Sequence, residues 1–387
     1  MQPDQQDLSQ RSGTTYAIAG LIGLALAMGV GRFAFTPLFP LMLSDAAISV
    51  TAGAWLAAAN YLGYFVGALA ALAIKGKPAT LIRVALLANA GATLAMGYTH
   101  ELAAWLAWRG LAGVASAFLL VFISALCLQR LSLLRRPMLS ATVFSGVGAG
   151  ISAVGTLCLV LDYVGFSSSD IWIMLGVASV VLSIVVWPVF THSDHPAHAE
   201  PVSDLAAPPR YRRWPLIVSY GLFGFGYIIP ATFLPAMAKT IVGNGWTFGL
   251  AWPVFGFAAL VSPFIAAHVS RFASGLHVWR TSHLIMAVGV ALPALVSGLA
   301  AIVVAAICVG GTFMAITMIG MQTAKQFGGA QPRRLMAAMT AAFAAGQLAG
   351  PLAVSWFVEP GADFSALLLI AAAALLSGAG LLVRRRT

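Results

Sequence analysis

Two arginines stand inside long apolar runs, Arg32 in ALAMGVGRFAF and Arg109 in LAAWLAWRGLAG. A guanidinium is permanently charged, and its planar fork matches a carboxylate or phosphate two bonds at a time. On insertion scales an arginine at helix-centre depth costs about 2.5–3.5 kcal/mol, so such residues turn toward a cavity or a partner. Counting from Tyr16 and from Glu101 at roughly 1.5 Å per residue places the two at comparable depth. The Asp and Glu residues fall elsewhere. Asp45, Glu101, Asp162, Asp170, Glu359 and Asp363 are at run ends, and Asp4, Asp7, Asp194, Glu200 and Asp204 are in polar segments. Two fixed positive charges with no carboxylate at their depth attract an anion. A packing role stands beside that reading, with Arg109 reaching outward to Glu101 and Arg32 bonding backbone carbonyls or Asp45.

Other polar side chains share the apolar runs: Asn60, Tyr61, Tyr64, Tyr227 and Gln347. They either line the same site or act as interhelical hydrogen-bond glue worth about 0.6 kcal/mol each. Trp55, Trp252 and Phe35 are candidates for its walls, or for ordinary core and interface residues. Redox, metal and hydrolytic chemistry find no support. Cys127, Cys158 and Cys308 lie unpaired in apolar stretches. His192, His195 and His198 with Asp194 and Glu200 are interrupted by Pro196, which breaks any helix that would align them. His283 falls near a span end and is not a proton relay. No G-x-x-x-x-G-K-[ST] occurs, so no nucleotide cofactor is expected. Nucleophiles, acids and histidines do not converge at one depth, so the chain is not expected to be an enzyme.

The elements that must hold these residues follow from composition. Of 387 residues, 60% are hydrophobic and 8% charged, against about 25% charged in an ordinary soluble chain. At roughly 20 residues per helical span, the length allows twelve short-looped spans. Apolar runs place them near 16–42, 52–74, 79–98, 102–128, 139–161 and 170–190, then 215–238, 247–268, 281–298, 300–321, 335–357 and 364–383. The first run is too long for a signal peptide and is read as a retained span. Continuous rather than alternating runs exclude a β-barrel. Of the 21 basic residues, all but Arg32, Arg109 and Lys239 fall on one side of this layout. That side is therefore cytoplasmic and includes both termini. The net charge of +10 is this topological bias and not a nucleic-acid footprint.

The polar stretch 191–213 divides the chain into bundles 1–190 and 214–387, and the halves repeat. Gly29, Gly31, Pro40 and Met42 are matched by Gly224, Gly226, Pro235 and Met237; Gly63 is matched by Gly256; Gly146 and Gly150 are matched by Gly346 and Gly350. Parallel six-helix halves with a mid-membrane site between them are one transporter plan. The 6+6 layout, linker and repeat resemble the major facilitator superfamily, and GRFAFTPLFPLM at 31–42 resembles the signature of its YbfB/YjiJ-type branch. The resemblance is partial elsewhere. After the second span Gly67, Lys75 and Lys77 keep the superfamily's loop pattern, but Ala71 stands at its acidic position. Arg109 and Gly113 resemble the Arg-x-x-x-Gly of proton-linked members. The fifth span has Gly146 and Gly150 but Ile151 where proline is usual, and Gly350-Pro351 restores that pair in the eleventh.

The resemblance implies an all-α membrane protein of twelve transmembrane helices in two pseudo-symmetric bundles. A secondary transporter is expected, moving a small organic solute, with a carboxylate or other anion favoured by Arg32 and Arg109. Proton-linked efflux of drugs or sugars is the alternative, and a membrane-embedded enzyme or sensor the remote one. Gly31, Gly113, Gly146, Gly150, Gly346 and Gly350 are expected to let helices approach closely. Pro37, Pro40, Pro235 and Pro351 are expected to shape helix ends that move. The expected partners are the substrate, the bilayer, and a coupling proton or counter-anion. A monomer in a bacterial inner membrane is the expected setting.

Overall fold

The computed structural model describes residues 3–46, 48–132, 137–191, 213–242, 251–296, 298–329, 331–357 and 365–383. Helices account for nearly all of them. The first span is composite: α1 (Pro3–Leu24), a π-helical segment (Ala25–Phe33) and α2 (Phe35–Asp45). Five more complete the first half: α3 (Val50–Ala73), α4 (Pro78–Tyr98), α5 (Leu102–Ser132), α6 (Pro137–Val164) and α7 (Ser168–Thr191). The second half holds α8 (Arg213–Val242), α9 (Ala251–Val269), α10 (Gly275–Leu295), α11 (Leu299–Phe327), α12 (Pro332–Phe357) and α13 (Ser365–Leu381). Ten of these spans are long and apolar enough to cross a membrane, and α13 is a shorter apolar helix. Counting α1 through α2 as one span gives the twelve read from composition. The linker expected at 191–213 lies almost wholly outside the described residues.

Local chemistry marks the ends. Pro78, Pro137 and Pro332 open α4, α6 and α12, where a missing N–H costs nothing. Ser49 and Ser274 accept from the backbone N–H of Ala52 and His277 at 3.1 and 3.3 Å, capping α3 and α10. Gly165, at φ 94°, ends α6 by letting Phe166 N–H reach back to Leu161 O at 3.0 Å, a turn that needs a left-handed residue. Several helices overrun the sequence boundaries. α10 begins at Gly275 rather than 281, and α11 runs to Phe327 rather than 321. Backbone hydrogen bonding continues past the point where apolar composition stops, so hydropathy under-reads the aqueous ends.

The repeat is visible in the packing. Contacts of α3 with α5, α4 with α7, α6 with the first span and α4 with α5 recur as α9 with α11, α10 with α13, α12 with α8 and α10 with α11. The halves meet along α6 against α9 and α3 against α12, partners that exchange under the same six-span shift. Small residues make this possible. A Cβ on Gly146 would overlap the Leu21 carbonyl, and one on Gly346 would overlap that of Gly221, so equivalent positions do equivalent work. Gly150 lies against Ala25 and Gly29, and Gly350 against Ile228. Pro37 and the exposed Pro40 lie in α2. Pro235 and Pro351 fall within α8 and α12, with their surroundings outside the described residues.

The surface is that of a protein solvated by lipid. Val177, Val181, Ile184 and Val185 on α7, and Val303, Val304 and Ile307 on α11, are exposed, while Arg32, Asn60, Asn89, Arg109 and Gln347 are buried. Trp55 corrects one expectation. It is 63% exposed and turned outward, not a wall of an internal site. α3 is apolar on nearly every face, so its periodicity does not say which aromatic meets lipid.

Candidate functional site

The site begins with a break in the first span's winding. In a π-helix the i→i+4 ladder is replaced by a wider i→i+5 one, and four backbone carbonyls of Ala25–Phe33 also accept from side-chain donors. Three neighbouring helices supply them. Asn89 on α4 donates to Leu26 O at 3.0 Å, and Ser116 on α5 donates to Ala27 O at 2.6 Å. Asn60 on α3 donates to Gly31 O at 3.2 Å and to Arg109 O at 3.0 Å. Arg109 completes the set: its Nη1 donates to Gly31 O at 3.2 Å and its Nη2 to Arg32 O at 3.1 Å. A Cβ on Gly31 would overlap Asn89 Oδ1 and Ser116 Oγ, displacing the two side chains that bond the Leu26 and Ala27 carbonyls.

Arg109 is therefore buried and committed to the backbone, with its guanidinium 5.0 Å from the Phe35 ring centroid. The outward reach to Glu101 is not what the structure contains, and the carbonyl bonds anticipated for Arg32 are made by Arg109. Asp45 does not meet Arg32 either. Its carboxylate accepts from Ser168 Oγ at 2.8 Å and from the Ser168 backbone N–H, capping the N-terminus of α7.

Arg32 is 3% exposed and makes a different set of contacts. Its Nη2 donates to Gln347 Oε1 on α12, and Gln347 Nε2 donates to the Tyr227 hydroxyl on α8 at 3.0 Å. The guanidinium carbon lies 3.9 Å from the Tyr64 ring centroid and 5.5 Å from those of Tyr61 and Phe33. Such cation–π contacts are worth about 2 kcal/mol when desolvated. No carboxylate meets Arg32 among the described residues, and its Nε and Nη1 have no hydrogen-bond partner. Neither has the Tyr64 hydroxyl, nor Trp252 Nε1. A buried guanidinium so under-bonded is costly unless something else supplies acceptors.

Aromatic rings from both halves continue away from this cation. Phe33 meets Trp252 and Phe313 edge-on at 5.9 and 6.2 Å, and Trp252 stacks on Phe255 at 5.2 Å. Tyr227 stacks on Phe313 at 4.6 Å and on Phe343 at 5.5 Å. Of the residues singled out from sequence, the structure thus gathers Arg32, Tyr61, Tyr64, Tyr227, Gln347 and Trp252 at the junction of the halves. Asn60, Arg109 and Gly113 sit behind the π segment as its support. Asn89 and Ser116 escaped the sequence reading; Asn89, a lone amide in an apolar run, carries the same signal as Asn60. Phe33, Phe313 and Phe343 escaped because an aromatic in an apolar span is ordinary.

At the end bearing most of the basic residues the halves are tied by cations on carbonyls. Arg333 Nη2 donates to Ile74 O at 2.9 Å, Arg334 Nε to Leu72 O at 3.4 Å, and Lys325 Nζ to Leu128 O at 2.7 Å. Leu72 and Ile74 close α3, where carbonyls lack helical partners and a cation is favoured. The loop acid missing at Ala71 is thus absent from a junction held by other chemistry. Replacing both Arg333 and Arg334 with alanine is expected to shift the two-state balance toward opening at this end by about 1–2 kcal/mol, roughly 5–30-fold. Spin-label distances between the ends of α3 and α12 read that shift; unchanged distance distributions would contradict it.

A two-bundle helical chain with a buried polar site where the bundles meet defines a transporter of the major facilitator fold. Residues 24–383 match the family described as "Uncharacterised MFS-type transporter YbfB", and the chain belongs to that family. Among solved structures, the human organic anion transporter MFSD10 (TETRAN) is similar in fold, with a TM-score of 0.66 over 99% of this chain and 100% of that one, at 13% identity. A comparison with curated proteins found no match.

Proposed function

We propose that the chain moves a small organic carboxylate across the membrane by alternating access, with Arg32 as the anion anchor. One observation carries this reading. Among the described residues this buried guanidinium is hydrogen-bonded across the halves only by a neutral amide and keeps Nε and Nη1 without acceptors. A carboxylate supplies both acceptors and the missing charge. The similar fold of an organic anion transporter is consistent with it. Arg109 is then a positioning residue, holding the carbonyls beside Arg32.

The remaining assignments belong to the same proposal. Bundles 1–190 and 214–387, joined by 191–213, rock about the α6–α9 and α3–α12 contacts. The basic end faces the cytoplasm of a bacterium, both termini lie there, and one chain holds the whole pathway. Energy comes from a co-transported proton or a counter-anion.

The test is a thermal-shift titration of the purified chain with organic acids and with neutral drugs. At 100 times its dissociation constant a true ligand adds about 2.7 kcal/mol. Arg32→Ala is expected to stay folded and lose the response to acids. Arg32→Lys is expected to lose most of it, because an ammonium lacks the fork. Stabilisation by neutral or cationic compounds alone, or an unchanged response in Arg32→Ala, would overturn the reading and favour efflux of drugs or sugars.

A further inference from the structure

We infer that the anion is a singly charged carboxylate borne on a flat aromatic ring; this rests on Arg32 being the anchor and adds what surrounds it. The single charge follows from counting usable donors. Arg109 spends both terminal nitrogens on the carbonyls of Gly31 and Arg32 and keeps a single unbonded N–H at Nε, whereas Arg32 keeps two unbonded nitrogens, Nε and Nη1. A second carboxylate on the same molecule would be buried among rings without a second guanidinium that keeps two unbonded nitrogens to meet it.

The flat body follows from the walls. Around the guanidinium lie the rings of Tyr61, Tyr64 and Phe33 from the first half; Phe33 meets Trp252 and Phe313 of the second, and Phe313 stacks on Tyr227. Aromatic faces and edges favour another ring over a puckered or branched aliphatic body of equal size. The Tyr64 hydroxyl and Trp252 Nε1, both without hydrogen-bond partners among the described residues, stand in the same walls. They offer a donor–acceptor and a donor, respectively, to a ring substituent. Because the walls come from both halves, such a ring would touch both bundles at once, and its departure would loosen their junction.

The test compares four probes on the intact, purified chain by calorimetric titration: benzoate, cyclohexanecarboxylate, terephthalate and butyrate. Benzoate and cyclohexanecarboxylate share charge and carbon count and differ in planarity; terephthalate adds the second charge. Benzoate is expected to bind about tenfold tighter than cyclohexanecarboxylate, the worth of one good ring contact, and tighter than terephthalate or butyrate. Phe313→Leu is expected to abolish the preference for the flat ring while anion binding persists. Trp252→Phe, which keeps a ring in place, is expected to retain it, and each variant's melting point checks its fold. If cyclohexanecarboxylate or terephthalate binds as tightly as benzoate, the flat monoanion is wrong and the Arg32 anchor stands. If none of the four binds to wild type, or Arg32→Ala binds them equally, the anchor itself fails.

Discussion

Arg109→Ala is expected to lower the stability of the folded protein by about 2–4 kcal/mol, while Arg32→Ala changes it by less than about 1 kcal/mol. The contrast between two buried arginines at one level is the point of the experiment. Arg109 makes two charge-assisted bonds to carbonyls of the π-helical segment. Gly31 O keeps Asn60 as a second donor. Arg32 O gains its side-chain donor from Arg109. Each charged hydrogen bond is worth about 1.5–3 kcal/mol. Interhelical bonds in membranes fall nearer 0.6 kcal/mol because the unfolded chain finds other partners, which sets the lower end of the range. Loss of contact with the Phe35 ring adds to the cost. Arg32 gives up one bond to a neutral amide and its contacts with the Tyr64, Tyr61 and Phe33 rings but also relieves the larger cost of a buried, under-bonded charge, and these nearly cancel. Reversible unfolding in mixed micelles reads both numbers. An Arg109→Ala protein as stable as wild type, beside an unfolded Arg32→Ala, would reverse the assigned roles.

The second large effect is expected at Gly113. A Cβ there would overlap the Asn60 carbonyl oxygen and press on the Tyr64 backbone nitrogen at 2.8 Å. Neither can swing aside, since both are backbone of α3, so α3 and α5 must separate. Gly113→Val is expected to cost about 3 kcal/mol or more, the upper range for overpacking. It also moves Asn60 away from Gly31 O and Arg109 O, to which it donates at 3.2 and 3.0 Å, so ligand response should fall in whatever protein remains folded. Gly110, one turn earlier, is the control. A Cβ there meets only Ala59 O at 3.8 Å, an ordinary contact, and Gly110→Ala is expected to leave both melting point and ligand response unchanged. Equal tolerance at the two positions would show that helix contact does not govern this face.

Legibility differed by the range of the interaction that carries each feature. The spans were readable because transfer of a side chain into hydrocarbon depends on the residue itself, and twenty such residues in a row leave little choice of structure. The repeat was readable because close helix approach demands a small residue, so Gly146 and Gly346 mark equivalent contacts wherever the chain takes them. The face of a uniformly apolar helix is not readable, and only the structure shows that Trp55 is exposed on the outer surface while Trp252 is buried. The π segment was not readable either. Nothing in ALAMGVGRFAF distinguishes it from an ordinary helix; it persists because Asn60, Asn89, Arg109 and Ser116 arrive from three other helices to take its carbonyls.

By itself the sequence determined that this chain crosses a membrane many times in two related halves. It also determined that Arg32 and Arg109 are set apart from the acidic residues, because hydropathy and the cost of burying charge are properties of individual residues. Only the tertiary structure decided which arginine is spent and which is available. Gln347 reaches Arg32 across 315 residues of chain, and Arg109 reaches the first span across 78. The direction in which each guanidinium points depends on helix register and on how the neighbouring helices pack against the first span. Those are long-range quantities, and no local pattern of residues encodes them.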